Sequence, residues 1–287
     1  MTPACVTVVD IGSGSMKASV FENLGSEVRA KAVVSRGFRL CSRIGGRISE
    51  RKIDAAVDFF NTVSELSRRH GADSVVAVST QAAREAPNFA DLQNRVFKKF
   101  GIHLRVISGT DEAKMTALCI HKLTNLSKFT SIDIGCGSVE MAKFDGDVRD
   151  VWSLPISTIN LDKMRSFTEV QSTIEASLAN LKFDNGETFL PPLIGSGGTL
   201  KAASMLVSGG VRNVLTCDEL GGLFAELKDK TIDERIVFGV PRVRADIFPF
   251  GALVALRIAQ HIGVDRLFIS NGSLRMGLAF DHFGMLK

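Results

Sequence analysis

Residues 10–15 read D-I-G-S-G-S and residues 133–138 read D-I-G-C-G-S, five identities in six positions set 123 residues apart. Each copy follows an apolar run, Val6–Val9 in the first and Thr130–Ile132 in the second. Each leads into an alternating stretch that closes on a phenylalanine and an acid, Phe21-Glu22 and Phe144-Asp145. Matched contexts on both sides point to duplication of a strand–turn–strand unit. The residue types say what the unit is for. An aspartate ending a buried strand is costly without a partner, so Asp10 and Asp133 are candidates to face a cation or its water shell. Gly12, Gly14, Gly135 and Gly137 let backbone N–H groups approach a ligand closely, and Ser13, Ser15 and Ser138 add hydroxyl donors. One copy alone reads equally as an ordinary hairpin. Two copies favour two loops clamping one phosphate-bearing ligand between duplicated domains.

Composition narrows the setting. At 287 residues, 45% hydrophobic and 23% charged, the chain has the profile of a globular protein with a sizeable core. The longest apolar stretch, Phe248–Leu256, contains Pro249 and Gly251 and is too short to span a bilayer; Met1–Val9 leads straight into a strand, not a secretory signal. Five scattered cysteines without C-x-x-C, and five histidines without H-E-x-x-H, fit reduced thiols in a cytoplasmic protein and no zinc site. A net charge of +4 does not indicate nucleic acid. Arg36, Arg39, Arg43, Arg47, Arg51 and Lys52 nonetheless fall close together, opposed only by Glu50. That run reads either as a solvated loop or as a track for a polyanion.

The rest of the chain reads as two passes through one plan. Residues 5–35 form a strand meander, Ile53–Arg69 has helical periodicity capped by Gly71, and Ser74–Val78 and His103–Ile107 are strands flanking a helix at Ala90–Phe100. Two polar stretches follow those strands, Ser79–Glu85 and Ser108–Ala113, the second opening a helix through about Leu123. Ligand sites in α/β folds lie at such strand ends. Taken singly, Asp111 and Glu112 read as acids favouring a helix N-terminus, and Arg84 as a surface ion pair. The second pass has strands around 131–140 and 148–155 joined by an Asp145-Gly146 turn, a helix over Thr168–Leu181, and the strand Leu193-Ile194. Gly195-Ser196-Gly197-Gly198-Thr199 then opens a helix and offers a third anion-facing loop. It is not a Walker A sequence, and no G-x-G-x-x-G is completed. A helix around Phe250–His261, a strand Leu267–Ile269 and a last helix end the chain.

The ordered set D-I-G-S-x-S (10–15), S-T-Q-A-A-R-E-A (79–86), I-S-G-T-D-E-A (107–113), D-I-G-x-G-S-x-E (133–140), S-L-P (153–155), G-S-G-G-T (195–199), R-A-D (244–246) and L-R-x-G (274–277) resembles the exopolyphosphatase/guanosine pentaphosphate phosphohydrolase family. That family belongs to the actin-like superfamily of chaperones and sugar kinases. The resemblance implies an α/β fold of two duplicated actin-like (ribonuclease H-like) domains, residues 1–124 and 125–287, with the active-site cleft between them. It implies hydrolysis of a terminal phosphoanhydride of polyphosphate or of guanosine pentaphosphate, with polyphosphate or guanosine penta- or tetraphosphate as the bound partner. Glu112 would orient or deprotonate water, with Asp133 and Glu140 as further catalytic acids, and Asp10, Asp133 and Glu112 would hold Mg²⁺. The resemblance puts the phosphate on Gly12–Ser15, on Arg84, on Gly135, Cys136, Gly137 and Ser138, and on Gly197, Gly198 and Thr199. Arg39, Arg43 and Arg47 would form the polyanion track, and a homodimer is the family's expectation. The chain departs from the family at Gly14 (commonly Asn), Cys136 (Gly), Val139 (Thr) and Met276 (Glu). Those departures keep open a non-enzymatic polyphosphate or guanosine tetra/pentaphosphate sensor, and the superfamily offers a third reading, an ATP-dependent small-molecule kinase, against which the compact length and Glu112 count.

Overall fold

The apolar run before the first copy forms a strand, β1 (Cys5–Ile11), because its β-branched residues alternate between two cores. Val9 and Ile11 enter a cluster with Phe59, Phe60 and Leu92, while Val6 and Val8 enter another with Leu274, Leu278 and Phe280. Strand periodicity then puts Asp10 on the face of Val6 and Val8. β2 (Ser15–Asn23) returns antiparallel, with Asp10 opposite Lys17, and β3 (Val28–Gly37) continues the meander. The helix α1 (Glu50–His70) ends at Gly71, whose φ of 67° is the left-handed conformation of a helix C-cap. β4 (Ser74–Ser79) runs parallel to β1, and β5 (Leu104–Val106) parallel to β4. The first sheet has the order β3-β2-β1-β4-β5. Its outer face is covered by α1 and α3 (Phe89–Phe100), after a short α2 (Gln81–Glu85).

The second sheet repeats the construction. β6 (Lys128–Ile134), β7 (Val139–Asp145) and β8 (Val148–Leu154) form the antiparallel meander, and β9 (Leu193–Ser196) runs parallel to β6. β11 (Arg266–Ile269) runs parallel to β9, with β10 (Val214–Thr216) antiparallel at the edge. The order β8-β7-β6-β9-β11 is that of the first sheet, and β10 is the one strand added at its edge. The repeated hairpins also share a closing bond: Gly12 N–H donates to Ser15 O at 2.9 Å, and Gly135 N–H to Ser138 O at 3.0 Å. The architecture is the α/β, duplicated two-sheet form read from the sequence, in a computed structural model describing residues 4–42, 44–179, 181, 189–210 and 212–286.

Two helices fill the space between the sheets. α4 (Gly109–Thr124) lies on the inner face of the second sheet, where Ala113, Ala117 and Ile120 pack on Phe129, Ala142 and Phe144. α11 (Leu274–His282) lies on the inner face of the first sheet and against α4. Gly277 makes that approach feasible, since a Cβ there would come within 2.6 Å of the Met115 carbonyl. The outer face of the second sheet is packed by α7 (Gly198–Ser208), α8 (Cys217–Leu227) and α10 (Phe248–Ile262), with the short α5 (Thr158–Leu161) and α6 (Phe167–Ala179) beside it. The N-terminal ends of α4 and α11 open at the hairpin loops. That is where the cleft lies.

Candidate active site

A cavity of about 250 Å³ is lined by both repeated loops. Its walls contain Gly12–Ser15 from the first copy and Gly135–Ser138 from the second, with Gly197 and Gly198 at the start of α7. Four acids line it, Asp10, Glu112, Asp133 and Glu140, and so do four cations, Lys17, Lys201, Arg244 and Arg275. Register explains the first of these. Asp133 pairs with Glu140 across β6 and β7 as Asp10 pairs with Lys17 across β1 and β2. Both members of each pair share a face, and that face looks toward the central helices. Glu112 enters from the first turn of α4 above Asp133 and Glu140. Arg275 enters from the first turn of α11, its Nη1 standing 3.9 Å from Asp10 Oδ2.

The loops are held from behind. Gly14 O accepts Phe38 N–H at 3.1 Å. Cys136 O accepts from Ser157 Oγ at 3.2 Å and from Thr158 Oγ1 and Ile159 N at 3.3 Å. These bonds, with the Gly12 and Gly135 N–H groups that close the hairpins, fix the loop backbone, and the amides between those anchors are of the kind that forms an anion nest.

Burial sets the electrostatics. It raises the Glu112 carboxyl well above the ordinary carboxylate range, aided by the charges of Glu140, Asp10 and Asp133 and opposed by Arg84. Glu140 is pushed to about 7, again by burial first, and Asp133 is raised by the same cause. Burial lowers Lys17 and Lys201 in turn. The acids demand positive charge and the cations negative charge. A cavity lined by equal numbers of each suits a divalent cation bound together with a dianionic phosphate.

Most of the residues singled out from the sequence converge here, with exceptions that have physical reasons. Arg84 does not line the cavity. Its Nη1 donates to Ile107 O at 2.9 Å and to Glu112 Oε2 at 3.4 Å, its Nε donates to Gln81 Oε1 at 2.9 Å, and its Nη2 lies 3.9 Å from Glu140 Oε1. It ties the two glutamates together behind the cavity wall. Thr199 also turns away: its buried side chain packs on the glycine seat of Gly251 in α10. The basic run spans three elements, β3, the loop that carries Arg39, Arg43 and Arg47, and α1. Arg36 on β3 faces Asp58, Arg39 pairs with Asp246 across the cleft, Lys52 on α1 donates to Arg39 O, and Arg47 is exposed. Arg43 lies outside the described residues. Of the departures, Val139 is buried in the second core and Met276 packs beside Phe280, away from the cavity.

None of the four cavity cations, Lys17, Lys201, Arg244 and Arg275, is singled out as a site residue from the sequence, although Arg244 and Arg275 stand in its R-A-D and L-R-x-G motifs. Lys17 sits seven positions after Asp10, as Glu140 does after Asp133, so carrying the repeat further along the chain identifies it. Lys201 lies one helical turn beyond Gly197, a spacing that becomes informative once α7 is known to start there.

No group of three His, Cys, Asp or Glu side chains among the described residues is arranged to hold a metal ion by itself. Mg²⁺ needs no such cage. It keeps several waters and binds through one or two carboxylates plus phosphate oxygens. Asp10 and Asp133, hard oxygen donors facing one polar cavity, fit that requirement.

A two-sheet α/β fold of this topology, with paired glycine loops, acids and cations around one cavity, defines a phosphoryl-binding protein of the actin-like architecture. The family model described as "Ppx/GppA phosphatase family" matches residues 37–285, and the chain belongs to that family. Exopolyphosphatase 1 of Mycobacterium tuberculosis is 25% identical, the alignment covering 94% of this chain and 86% of that protein. Guanosine-5'-triphosphate,3'-diphosphate pyrophosphatase of Vibrio atlanticus is 23% identical, covering 98% of this chain and 60% of that longer protein. Among solved structures, an exopolyphosphatase from Cytophaga hutchinsonii superposes with a TM-score of 0.88 at 20% identity, covering 99% of both chains. The Aquifex aeolicus Ppx/GppA family member superposes with a TM-score of 0.83 at 23% identity, covering 98% of this chain and 97% of that one. No helix among the described residues is long and apolar enough to cross a membrane.

Proposed function

We propose that the protein is a phosphoanhydride hydrolase that releases terminal orthophosphate from polyphosphate or from guanosine pentaphosphate. The observation that carries this reading is the meeting of both repeated loops at one cavity, with a buried glutamate of raised proton affinity, Glu112, entering between them. Phosphoryl transfer depends on in-line positioning and on neutralising charge at the equatorial oxygens. Amides of Gly12–Ser15 and Gly135–Ser138 hold the terminal phosphate, and Lys17, Lys201, Arg244 and Arg275 oppose its charge. Asp10 and Asp133 would hold Mg²⁺, which when bound draws charge from the phosphate oxygens. Glu112 orients the attacking water and accepts its proton, a role favoured by the proton affinity that burial and the neighbouring acids raise. Glu140, hydrogen-bonded by Ser153 at 3.1 Å, and Arg84 hold Glu112 in place.

The names of the relatives, exopolyphosphatase and guanosine-5'-triphosphate,3'-diphosphate pyrophosphatase, support the same substrate class. The test is Mg²⁺-dependent phosphate release from long-chain polyphosphate and from guanosine pentaphosphate, with Glu112→Gln beside wild type and binding measured for both. Turnover in wild type that disappears in Glu112→Gln while binding persists is the expected result. Binding without turnover by the folded wild type rules out the hydrolase and leaves a sensor.

A further inference from the structure

The two loops seat into one another reciprocally. A Cβ at Gly14 would overlap the Cys136 thiol and stand 3.0 Å from Cys136 Cβ and 3.2 Å from Arg39 Nη1. A Cβ at Gly137 would overlap the Ser13 hydroxyl and stand 3.1 Å from Ser13 Cβ. Ser13 and Cys136 occupy the same place in the two copies of the phrase, as do Gly14 and Gly137. Each loop therefore lends a glycine seat to a side chain of the other. Ser13 and Cys136 are also the one position at which the two copies differ.

The two seated side chains are tethered differently. Ser13 Oγ accepts Ala82 N–H at 3.2 Å, which anchors it to α2 of its own half. Cys136 is anchored through its carbonyl, by the three donors of Ser157, Thr158 and Ile159. Its thiol stays directed at Gly14, beside Arg39 and near Arg244, and the buried Arg39 Nη1 has no hydrogen-bond partner. The unpartnered guanidinium nitrogen stands beside the Gly14 seat, behind the residues that line the cavity, and a buried donor of this kind is costly to leave unmet.

We propose that Cys136 is a positioning residue that sets the separation of the two phosphate loops by filling the Gly14 seat, and that this spacing, with Arg39 beside it, determines how tightly a phosphoryl group is held. The proposal rests on the phosphate-cleft reading above. Packed contacts of this kind have no slack. A methyl added at Gly14 must push the loops apart, and a thiol removed from Cys136 lets them close or rattle.

The experiment is a double-mutant cycle on Gly14→Ala and Cys136→Gly, with Cys136→Ser as the conservative variant. It is read as the Kd for inorganic tripolyphosphate and, separately, as kcat and KM for polyphosphate. Gly14→Ala should weaken tripolyphosphate binding and raise KM by about tenfold, with a smaller change in kcat. Cys136→Gly should weaken binding about fivefold, and Cys136→Ser, which copies Ser13, by less than half as much. The double variant should bind within about threefold of wild type, because the space lost on one side is returned on the other. Cys136→Gly removes bulk, so it and its serine counterpart remain readable if Gly14→Ala does not fold. Additive effects in the cycle, or a Cys136→Gly protein that binds tripolyphosphate as wild type does, would overturn the proposal. A non-additive cycle in binding with no turnover by wild type would uphold the interlock while refuting the hydrolase. Additive effects with normal wild-type turnover would do the reverse.

Discussion

The two halves of the site share a geometry and differ in charge. In the first, the residue opposite Asp10 is Lys17, and the helix laid over the pair brings Arg275. In the second, the residue opposite Asp133 is Glu140, and the helix laid over that pair brings Glu112. Asp10 thus has cations as its strand and helix neighbours, whereas Asp133 has an acid on each, with Lys17 and Lys201 also near it. Duplication supplies two equivalent frames; the residues that look inward assign them separate tasks. On this account Lys17 and Arg275 add to the charge that holds the anion, and the second frame carries Glu112 and Glu140, whose proton affinity burial raises.

The largest effect expected is at the acidic half. Glu112→Gln should lower turnover about a thousandfold with tripolyphosphate affinity kept, the range general-base removal commonly produces. Loss of binding in parallel with turnover would move Glu112 into the anion-holding group and erase the comparison. Next comes the cationic half. Lys17→Met should raise KM about ten- to a hundredfold with a smaller fall in kcat, since hydrogen bonds to charged groups contribute ~1.5–3 kcal/mol. A pure kcat defect would show that Lys17 serves the chemistry and not the holding.

A third effect concerns stability and pH in the metal-free protein. The Glu140 carboxyl titrates at about 7 in the fold, above the ordinary 4.5. The folded state therefore keeps a proton that the unfolded chain has released. The stability this contributes is complete below the unfolded value and is lost as pH rises through about 7. Glu140→Gln should consequently raise Tm by a few degrees at pH 8 and much less at pH 4.5, about the shift expected for 1–2 kcal/mol. Equal Tm differences at both pH values would mean that ionisation of Glu140 is not the source. The smallest effect belongs to the basic loop. Arg39→Ala, which removes the pair with Asp246 across the cleft, should raise KM several-fold. Arg47→Ala, an exposed cation, should change it by less than about twofold. Similar losses at both would support a continuous polyanion track.

Much of the fold is legible in the chain because its signals are local. The duplicated phrase, the alternating strands, the helical period of Glu50–His70 and the Gly71 cap all lie within short windows. The site is legible as far as the phrase extends. Lys17 shows where local reading stops: it occupies a strand position like any other until the register sets it against Asp10. Arg84 shows the opposite error. The resemblance puts it on the phosphate, whereas side-chain packing takes up its donors with Gln81, Ile107 and Glu112. Thr199 fails for a similar reason. It belongs to a phosphate-like glycine run, yet the helix that begins at Gly198 turns it toward Gly251. Short helices such as Gln81–Glu85 and Thr158–Leu161 leave too little periodicity to be read, although both steady the loops.

The central claim is that the two loops act as one cradle. A crystal structure of Glu112→Gln with Mg²⁺ and tripolyphosphate tests it most directly. The account predicts a terminal phosphate accepting N–H groups from both Gly12–Ser15 and Gly135–Ser138, with the cation between Asp10 and Asp133. A phosphate held by one loop alone, or bound outside the cleft, would contradict it.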